Sequence, residues 1–364
     1  MPPHRGRAGR DLERLRLCGL PAPDGASAVA TRRARPRCDR RGHRRARDRR
    51  GVGHRKETTV DSIIRTETLF ETLQRPGALD APLLIAGFGS PESQTPASVV
   101  EYLVHEWDAG LVAHLDPDAL YDFTVARPNV LIEEGERVVE WPGVRLWHAR
   151  PAGADRDVLL LAGREPHFRW QRAGAAIAEV AHALGVHEVV ILGSFAAGIP
   201  HTRTVPVRMT GVGGRFASRA GIEAGMPRYQ GPAAFSMALG VALRQAGIET
   251  ASLSAMAPFY FAAEPSPHAM AALIEVIDRG LGTHTSLELL QPHREAFDAQ
   301  ATMAMESTPA MAELVANLER QYDEAPAPAS VLRADEVLAD VEALLARRDG
   351  EAGGPGIGPP RRAW

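Results

Sequence analysis

The feature that most constrains the fold of this chain is the alternation of short apolar runs with longer stretches of helical spacing. Apolar runs at residues 157–162 and 188–192 flank a stretch at 171–184, where Ile177 and Leu184 share one face. Two strands joined by a helix of this length pair in parallel through a right-handed crossover. The pattern predicts a βαβ unit, and we expect its two strands to be neighbours about 4.8 Å apart.

The same alternation extends through the body of the chain. We expect further strands at residues 82–86, 111–115, 144–148, 205–210 and 250–256, and a hairpin formed by 130–133 and 138–141. Helical spacing occurs at residues 97–109, 232–246 and 267–280, and at 287–322 with breaks at Pro292 and Pro309. These elements predict one α/β domain over residues 59–324, with three α/β/α layers and a mainly parallel central sheet.

Residues 1–58 differ sharply from this body. The first 56 residues hold 18 basic and 5 acidic side chains, a net charge of +13. A segment of this composition cannot form a core, so we expect it to be disordered. It is either a nucleic-acid-binding arm or untranslated sequence read in frame. We favour the second interpretation. Lys56 is the only lysine, and this preference for arginine indicates GC-rich DNA, whose untranslated sequence also encodes arginine when read in frame. No Met occurs between Met1 and Met209, so a later start would use a non-Met codon.

Beyond the domain, residues 325–349 contain a Pro-rich hinge and an amphipathic helix, and residues 350–364 form a Gly/Pro-rich tail that we expect to be disordered. The helix has an apolar stripe made of Val337, Leu338, Val341, Leu344 and Leu345. Such a stripe predicts that the helix docks on the domain.

Composition excludes several functional classes. The 308 residues after the first 56 hold 24 basic and 40 acidic side chains, a net charge of −16, so we expect no specific nucleic acid partner. No apolar run reaches the roughly 18 residues of a membrane span, and the N-terminus lacks a secretory signal. Cys18 and Cys38 are the only cysteines, and no metal-binding spacing appears. We therefore expect a cytoplasmic protein without a metal or cofactor.

Candidate functional residues follow the predicted strands, where ligands bind in open parallel sheets. Gly87, Gly89 and Ser90 follow the first predicted strand. Glycines at this place either let the backbone approach a ligand or only form the turn between strand and helix, and we favour the turn. Ser194 follows a later strand, but the spacing around a nucleophilic serine is absent, so a turn or capping role is favoured.

Two further loops are dense in charge and aromatic rings. Glu165, Arg169 and Trp170 could form a carboxylate clamp or an ion pair that fixes the loop. His201 and Arg203 could contact an anion, although a histidine bonded to the backbone is the commoner outcome. We expect Glu165, Arg169 and His201 to lie together, with an ion-pair network slightly favoured over a ligand site. No complete catalytic set appears.

A polar and aromatic loop contains Tyr121, Asp122, Phe123 and Arg127. It is interpreted either as a turn held by an Asp122–Arg127 ion pair or as an oligomer interface, because Tyr, Phe and Arg are enriched at interfaces.

Short motifs occur in a characteristic order along these loops. The motifs are Asp116-Pro, Tyr121-Asp-Phe, Arg127-Pro, Trp141-Pro, Arg156-Asp, Glu165-Pro, Arg169-Trp, Leu192-Gly, Pro200-His-Thr-Arg, Pro206-Val, Tyr229-x-Gly-Pro and Pro258-x-Tyr260. In this order they resemble the proteasome assembly chaperone 2 family in its actinobacterial form, over residues 80–348. The chain departs from the family pattern at Gly89-Ser-Pro-Glu, Leu192-Gly-Ser-Phe and Pro258-Phe-Tyr.

The resemblance implies a fold similar to that of purine nucleoside phosphorylases and a homo-oligomer, with a trimer as the expected form. It also implies proteasome-related protein partners. The leading hypothesis is a non-catalytic oligomer that acts through protein contacts. The alternative is a small-molecule-binding protein or enzyme, phosphorylase-, hydrolase- or ligase-like, with its site at the carboxyl edge of the sheet. Fold resemblance alone does not transfer chemistry.

Overall fold

The computed structural model describes residues 64–65, 79–133, 135–227, 229–261 and 264–324. The expectations for residues 1–58, for the hinge and helix at 325–349 and for the tail at 350–364 lie outside the described residues.

The strands and helices follow the alternation seen in the sequence. The strands are β1 (Ile64–Arg65), β2 (Leu83–Gly89), β3 (Gly110–Leu115), β4 (Asn129–Glu133), β5 (Glu136–Glu140), β6 (Val144–Ala149), β7 (Val158–Arg164), β8 (Glu188–Ala197), β9 (Val207–Gly211), β10 (Ala224–Gly225) and β11 (Glu249–Pro258). The helices are α1 (Thr95–Glu106), α2 (Pro117–Leu120), α3 (Trp170–Ala183), α4 (Gly214–Ala220), α5 (Phe235–Gln245), α6 (Pro267–Leu281), α7 (Gln291–Ser307) and α8 (Pro309–Glu324).

The central sheet has the strand order β1-β3-β6-β7-β2-β8-β11-β9-β10. Its four middle strands, β7, β2, β8 and β11, run parallel, and β6 and β9 pair antiparallel on either side of them. The prediction of a mainly parallel centre is confirmed. The expectation that β7 and β8 are neighbours is wrong, because β2 pairs with both and separates them.

Helices cover both faces of the sheet and produce two cores. Successive side chains of a strand point to opposite faces. Leu83 and Ile85 accordingly pack with α1, α4 and α6 on one face, whereas Leu84 and Ala86 pack with α3 and α5 on the other. All seven residues of β2 are buried, as expected for a central strand covered on both sides. The arrangement is the expected three-layer α/β/α fold.

The helix ends show which sequence signals were informative. Gly247 has φ of +80° and directly follows the C-cap residue of α5, as its position predicted. The predicted break at Pro309 is present, since α7 ends at Ser307 and Pro309 is the first residue of α8. Pro292 does not break α7, because it lies in the first turn, where a backbone N–H has no partner within the helix. The short helix α4 was not predicted, since seven residues contain too few turns to show periodicity.

The predicted hairpin is also present. Strands β4 and β5 pair antiparallel, from Asn129 opposite Glu140 to Glu133 opposite Glu136. They form a separate two-stranded sheet.

Candidate functional site at the carboxyl edge of the sheet

The parallel strands β2, β7, β8 and β11 bring four loops to one edge of the sheet. Three of these loops were expected to emerge together after residues 86, 162 and 192. They do emerge at one edge, but the strands run further than expected, because β2 ends at Gly89, β7 at Arg164 and β8 at Ala197. The fourth loop, which follows Pro258, was not included in the sequence prediction.

Gly87 and Gly89, expected in a loop after the strand, lie within the carboxyl end of β2, which packs closely against α1. A Cβ atom at Gly87 would overlap the carbonyl group of Pro96, and one at Gly89 would overlap the side chain of Gln94. The Ser90 hydroxyl accepts hydrogen bonds from the backbone amides two and three residues later, at 3.3 and 3.2 Å. These contacts are those of a βα turn.

A carboxylate from the fourth loop occupies the N-terminus of α1. The Oε2 atom of Glu264 accepts hydrogen bonds from the Ser93 hydroxyl at 3.0 Å, the Gln94 amide at 2.8 Å, and the Thr95 amide and hydroxyl at 3.2 and 3.1 Å. Thr95 Oγ1 in turn accepts from the Ser266 amide at 2.9 Å. The first turn of α1 contains no acidic residue of its own, so Glu264 supplies the negative charge that a helix N-terminus favours.

Glu165 has a similar role at a second helix. Its carboxylate accepts a hydrogen bond from the amide of Phe235, the first residue of α5, and its own amide donates to the Gly89 carbonyl at 2.8 Å. The Trp170 indole donates to the Pro166 carbonyl, and its ring packs against Phe235 with centroids 5.8 Å apart. Glu165 therefore connects two loops and a helix within the chain.

Arg169 has φ of +57° and is the N-cap residue of α3. Among the described residues, no ion pair or hydrogen bond engages its guanidinium group. The expected network of Glu165, Arg169 and His201 is therefore not formed, and the carboxylate clamp from Glu165 and Arg169 is absent as well.

His201 interacts with a tyrosine from the fourth loop. The His201 amide donates to the Tyr260 hydroxyl at 2.7 Å, and Nδ1 lies 2.8 Å from the same oxygen. The direction of the bond between Nδ1 and the hydroxyl depends on the histidine tautomer, because the hydroxyl can both donate one hydrogen bond and accept two. Burial lowers the pKa of His201 below its usual value and raises the pKa of Tyr260 to about 12. Sequence reasoning noted Tyr260 in a motif but did not connect it to His201.

Arg203 binds the last helix rather than facing open solvent. Its guanidinium forms a bidentate pair with Asp323, at 2.9 Å from Nε and 2.8 Å from Nη2, and contacts Glu319 at 3.2 Å. The hydrogen bond from Arg203 lowers the pKa of Asp323, and the same contact raises the pKa of Arg203. The anionic group considered for this arginine is thus supplied by α8, a contact about 120 residues away that local sequence could not reveal.

Ser194 lies in β8, opposite Ala255 of β11. Its hydroxyl oxygen is buried and has no hydrogen-bond partner among the described residues. Two cavities among those residues are lined by other side chains: one of about 20 Å³ between Leu84, Leu159 and α3, and an open one of about 370 Å³ near Asp278 and Thr283.

The loop that contains Tyr121 packs on the loop after β7. The buried Tyr121 hydroxyl donates to the Arg164 carbonyl, and burial raises the pKa of this tyrosine. Asp122 accepts from the Thr124 hydroxyl at 2.6 Å and from the Thr124 amide at 2.8 Å, and these two hydrogen bonds lower the pKa of Asp122. The Asp122 amide donates to His167 Nδ1 at 3.0 Å.

Phe123 and Arg127 are the interface candidates at the end of that loop, and both remain at least partly exposed. Phe123 stacks on Trp141 with ring centroids 4.8 Å apart. The Asp122–Arg127 ion pair considered from the sequence is not formed, because Asp122 caps its own turn through Thr124.

Within the described ranges, no group of three or more His, Cys, Asp or Glu side chains could hold a metal ion. In the same part of the chain, no helix combines the length and the apolar character needed to cross a membrane.

The fold and the loop arrangement define an α/β/α protein with a mainly parallel central sheet. Hydrogen bonds connect the loops at the sheet edge to each other and to flanking helices. The chain belongs to the PAC2 family, whose sequence signature matches residues 93–305. No curated protein sequence matches the chain.

Solved structures from actinobacteria are similar to the chain. A PAC2 family protein from Streptomyces avermitilis is 31% identical, with a TM-score of 0.58, and the alignment covers 64% of this chain and 99% of that one. A proteasome-assembly chaperone homologue from Mycobacterium tuberculosis is 32% identical, with a TM-score of 0.55 and coverage of 64% and 99%. A protein of unknown function from Corynebacterium glutamicum is 25% identical, with a TM-score of 0.63 and coverage of 72% and 97%.

Proposed function

We propose that this protein is a non-catalytic homo-oligomer of the proteasome-assembly-chaperone type, which acts in the cytoplasm through contacts with itself and with proteasome subunits. Membership of the PAC2 family and the similarity to the Mycobacterium tuberculosis homologue support a role of this type.

The observation that carries the proposal is the engagement of the edge residues with partners inside the chain. Glu165 caps α5, Glu264 caps α1, His201 binds Tyr260 and Arg203 binds α8. Polar groups that are already paired lose those hydrogen bonds when they bind a ligand, which costs affinity. An edge organised in this way is suited to presenting a stable surface to another protein.

The direct test is proteasome assembly in the presence and absence of the protein. Proteasome subunits are co-expressed with the full chain or with an empty vector, and assembled particles are quantified by native electrophoresis and peptidase activity. We expect co-purification with proteasome subunits and a larger assembled fraction when the chain is present. Equal assembly in both samples, with no co-purification, would contradict the proposed role.

Ser194 and Arg169 favour one second candidate, a small-molecule binder at the same edge. The Ser194 hydroxyl is buried without a partner among the described residues, and Arg169 offers a guanidinium group that is not paired within them. If this function is correct, Arg169→Ala abolishes binding of a small molecule that co-purifies with the protein while the melting temperature stays nearly unchanged.

A further inference from the structure

The β4–β5 hairpin exposes large apolar side chains on both of its faces. Val130 and Ile132 are 63% and 65% exposed, and Leu131 and Val138 on the opposite face are each 38% exposed. A two-stranded hairpin is at best marginally stable alone in water, and exposed apolar area of this kind marks interaction sites. We call residues 129–141 the hairpin surface.

The hairpin surface is acidic. It contains four glutamates and one arginine, a net charge of −3. No ion pair within the described residues neutralises Glu133, Glu136 or Glu140. An apolar strand pair with a negative rim is suited to a partner that offers an aromatic or aliphatic contact surrounded by cations.

The same chain has a surface with the opposite character, at the loop after β7 and the first turn of α3. It consists of Arg164, Phe168, Arg169 and Arg172, and we call it the arginine surface. Phe168 is 50% exposed and the three arginines are exposed, with no acidic partner among the described residues. Glu165 is adjacent in sequence, but its carboxylate is directed to the Phe235 amide.

The position of these arginines is electrostatically unfavourable for an isolated protomer. A helix N-terminus carries a partial positive charge, and the first turn of α3 contains no acidic residue. The arginine surface is also a positive area on a body whose net charge is −16 over the residues after the first 56, where 24 are basic and 40 acidic. An acidic partner would relieve this repulsion.

Aromatic rings lie beside each of the two surfaces on one protomer. Trp141, at the base of the hairpin, packs on Phe123 with centroids 4.8 Å apart. Tyr121, two residues before, lies 5.7 Å from His167, and His167 lies 6.2 Å from Phe168. Aromatic rings therefore lie at the base of the hairpin surface and, separately, beside Phe168 of the arginine surface.

We propose that the hairpin surface of one copy docks on the arginine surface of a second copy of this chain. Two complementary areas on the same chain allow each protomer to provide a hairpin and receive one, so a closed dimer or ring satisfies all of them. This inference rests on the proposed function, because it assigns the residues that build the proposed homo-oligomer. It also places the candidate interface residues Phe123 and Arg127 beside the contact.

The test uses charge reversal on each side of the contact. One full-length variant combines Glu133→Arg with Glu136→Arg, and another combines Arg169→Glu with Arg172→Glu. Each variant alone should weaken self-association at low salt by at least about tenfold, because like charges then face each other. The variant with all four substitutions should recover most of the wild-type association. An equimolar mixture of the two double variants should do so for a dimer or an even-membered ring, whereas a three-membered ring keeps one contact with like charges.

The control reverses charge at two exposed acidic sites elsewhere, Glu288→Arg with Glu313→Arg. Mass is measured by sedimentation and light scattering over a range of protein concentration and salt. For the apolar part, Ile132→Asp should dissociate the oligomer, whereas Val212→Asp, at a 52% exposed position beyond β9, should not. Circular dichroism melts confirm that every variant is folded.

The outcomes separate this inference from the proposed function. If the wild type is oligomeric and neither reversal lowers its mass, the assigned contact is wrong, but the proteasome-assembly role is untouched. The same holds if each reversal dissociates the oligomer and the combination fails to restore it. Dissociation on removal of residues 325–364, with the reversals silent, would assign the interface to that segment instead. A monomeric wild type would overturn both this contact and the homo-oligomer.

Discussion

At the scale of single residues, a side chain that accepts hydrogen bonds from buried donors is expected to stabilise the fold. Thr95 is fully buried and Ser93 is nearly so, and both donate to one carboxylate oxygen of Glu264. The sequence predicted a helix over residues 97–109, directly after these two residues. It did not identify their acceptor, because Glu264 is about 170 residues away and lies next to no recognisable motif.

We predict that Glu264→Ala destabilises the protein by about 0.5–2 kcal/mol, the usual range for loss of a helix cap. The substitution leaves the donors of Ser93 and Thr95 without their acceptor. Glu264→Gln keeps an acceptor oxygen and should have a smaller effect. Urea unfolding measures both, with Glu92→Ala as the control, because Glu92 is an exposed glutamate on the loop that Glu264 contacts. Equal effects at Glu264 and Glu92 would show that the cap contributes nothing.

A second residue-scale prediction concerns pH. Burial lowers the pKa of His201, so the fold favours its neutral form. The resulting stabilisation is present above the ordinary histidine pKa and is lost as the pH falls through that value towards the lowered one. Asp298 and Glu319 partly oppose the shift, and His268 reinforces it.

The melting temperature of the wild type should therefore fall between about pH 7.5 and 5.5, where histidine titrates. His201→Gln should reduce this fall, and His187→Gln, at an exposed position, should leave it unchanged. Because burial also lowers the pKa of His293, part of the pH dependence should remain in the His201 variant. Identical pH profiles for wild type and His201→Gln would rule out a contribution from this site.

At the scale of elements, α8 is attached to the body mainly by polar contacts. Arg203 binds Asp323 and Glu319, and the Tyr322 hydroxyl donates to the Thr204 carbonyl at 2.8 Å. Only Val315 and Leu318 of this helix are buried. With so little apolar burial, the docking of α8 depends on the ion-pair cluster around Arg203.

We predict that Arg203→Gln increases hydrogen exchange in α8 without changing exchange in β2 or β8. The lowered pKa of Asp323 means that the ion pair is intact above the ordinary aspartate pKa and is lost as the pH falls through the lowered value. Acidification should therefore release α8 in the wild type as well. Arg320→Gln, on the same helix, is the control, since Arg320 contacts only Asn317 within α8. Unchanged protection in Arg203→Gln would indicate that the apolar contacts suffice.

At the scale of the whole molecule, charge limits the possible partners. The residues after the first 56 carry 24 basic and 40 acidic side chains, a net charge of −16. Nucleic acids bind to proteins whose basic side chains neutralise phosphates and release the counterions condensed on them. An acidic body repels the phosphates instead. The three arginines of the arginine surface are too few to reverse this balance.

We predict that a chain starting near Val60 does not bind DNA or RNA in fluorescence anisotropy. The full chain, whose first 56 residues have a net charge of +13 from 18 basic and 5 acidic side chains, should show at most weak binding that moderate salt abolishes. Tight, salt-resistant binding by the shorter chain would contradict the prediction.

The sequence by itself determined the element order and the α/β/α layering. Hydrophobic periodicity is a local signal, and β2, β7, β8 and β11 each have the apolar run of a strand buried on both faces. The ordered motifs likewise identified the family over most of the domain.

Only the tertiary structure decided which elements and side chains meet. Local sequence cannot show that β2 separates β7 from β8, because strand order depends on the packing of the whole sheet. The same reason explains the partners of the candidate site residues. Glu165 was expected near Arg169 and His201, yet its carboxylate caps α5, and Arg203 binds Asp323 120 residues later. Such contacts join segments distant in sequence, where neither spacing nor composition carries information.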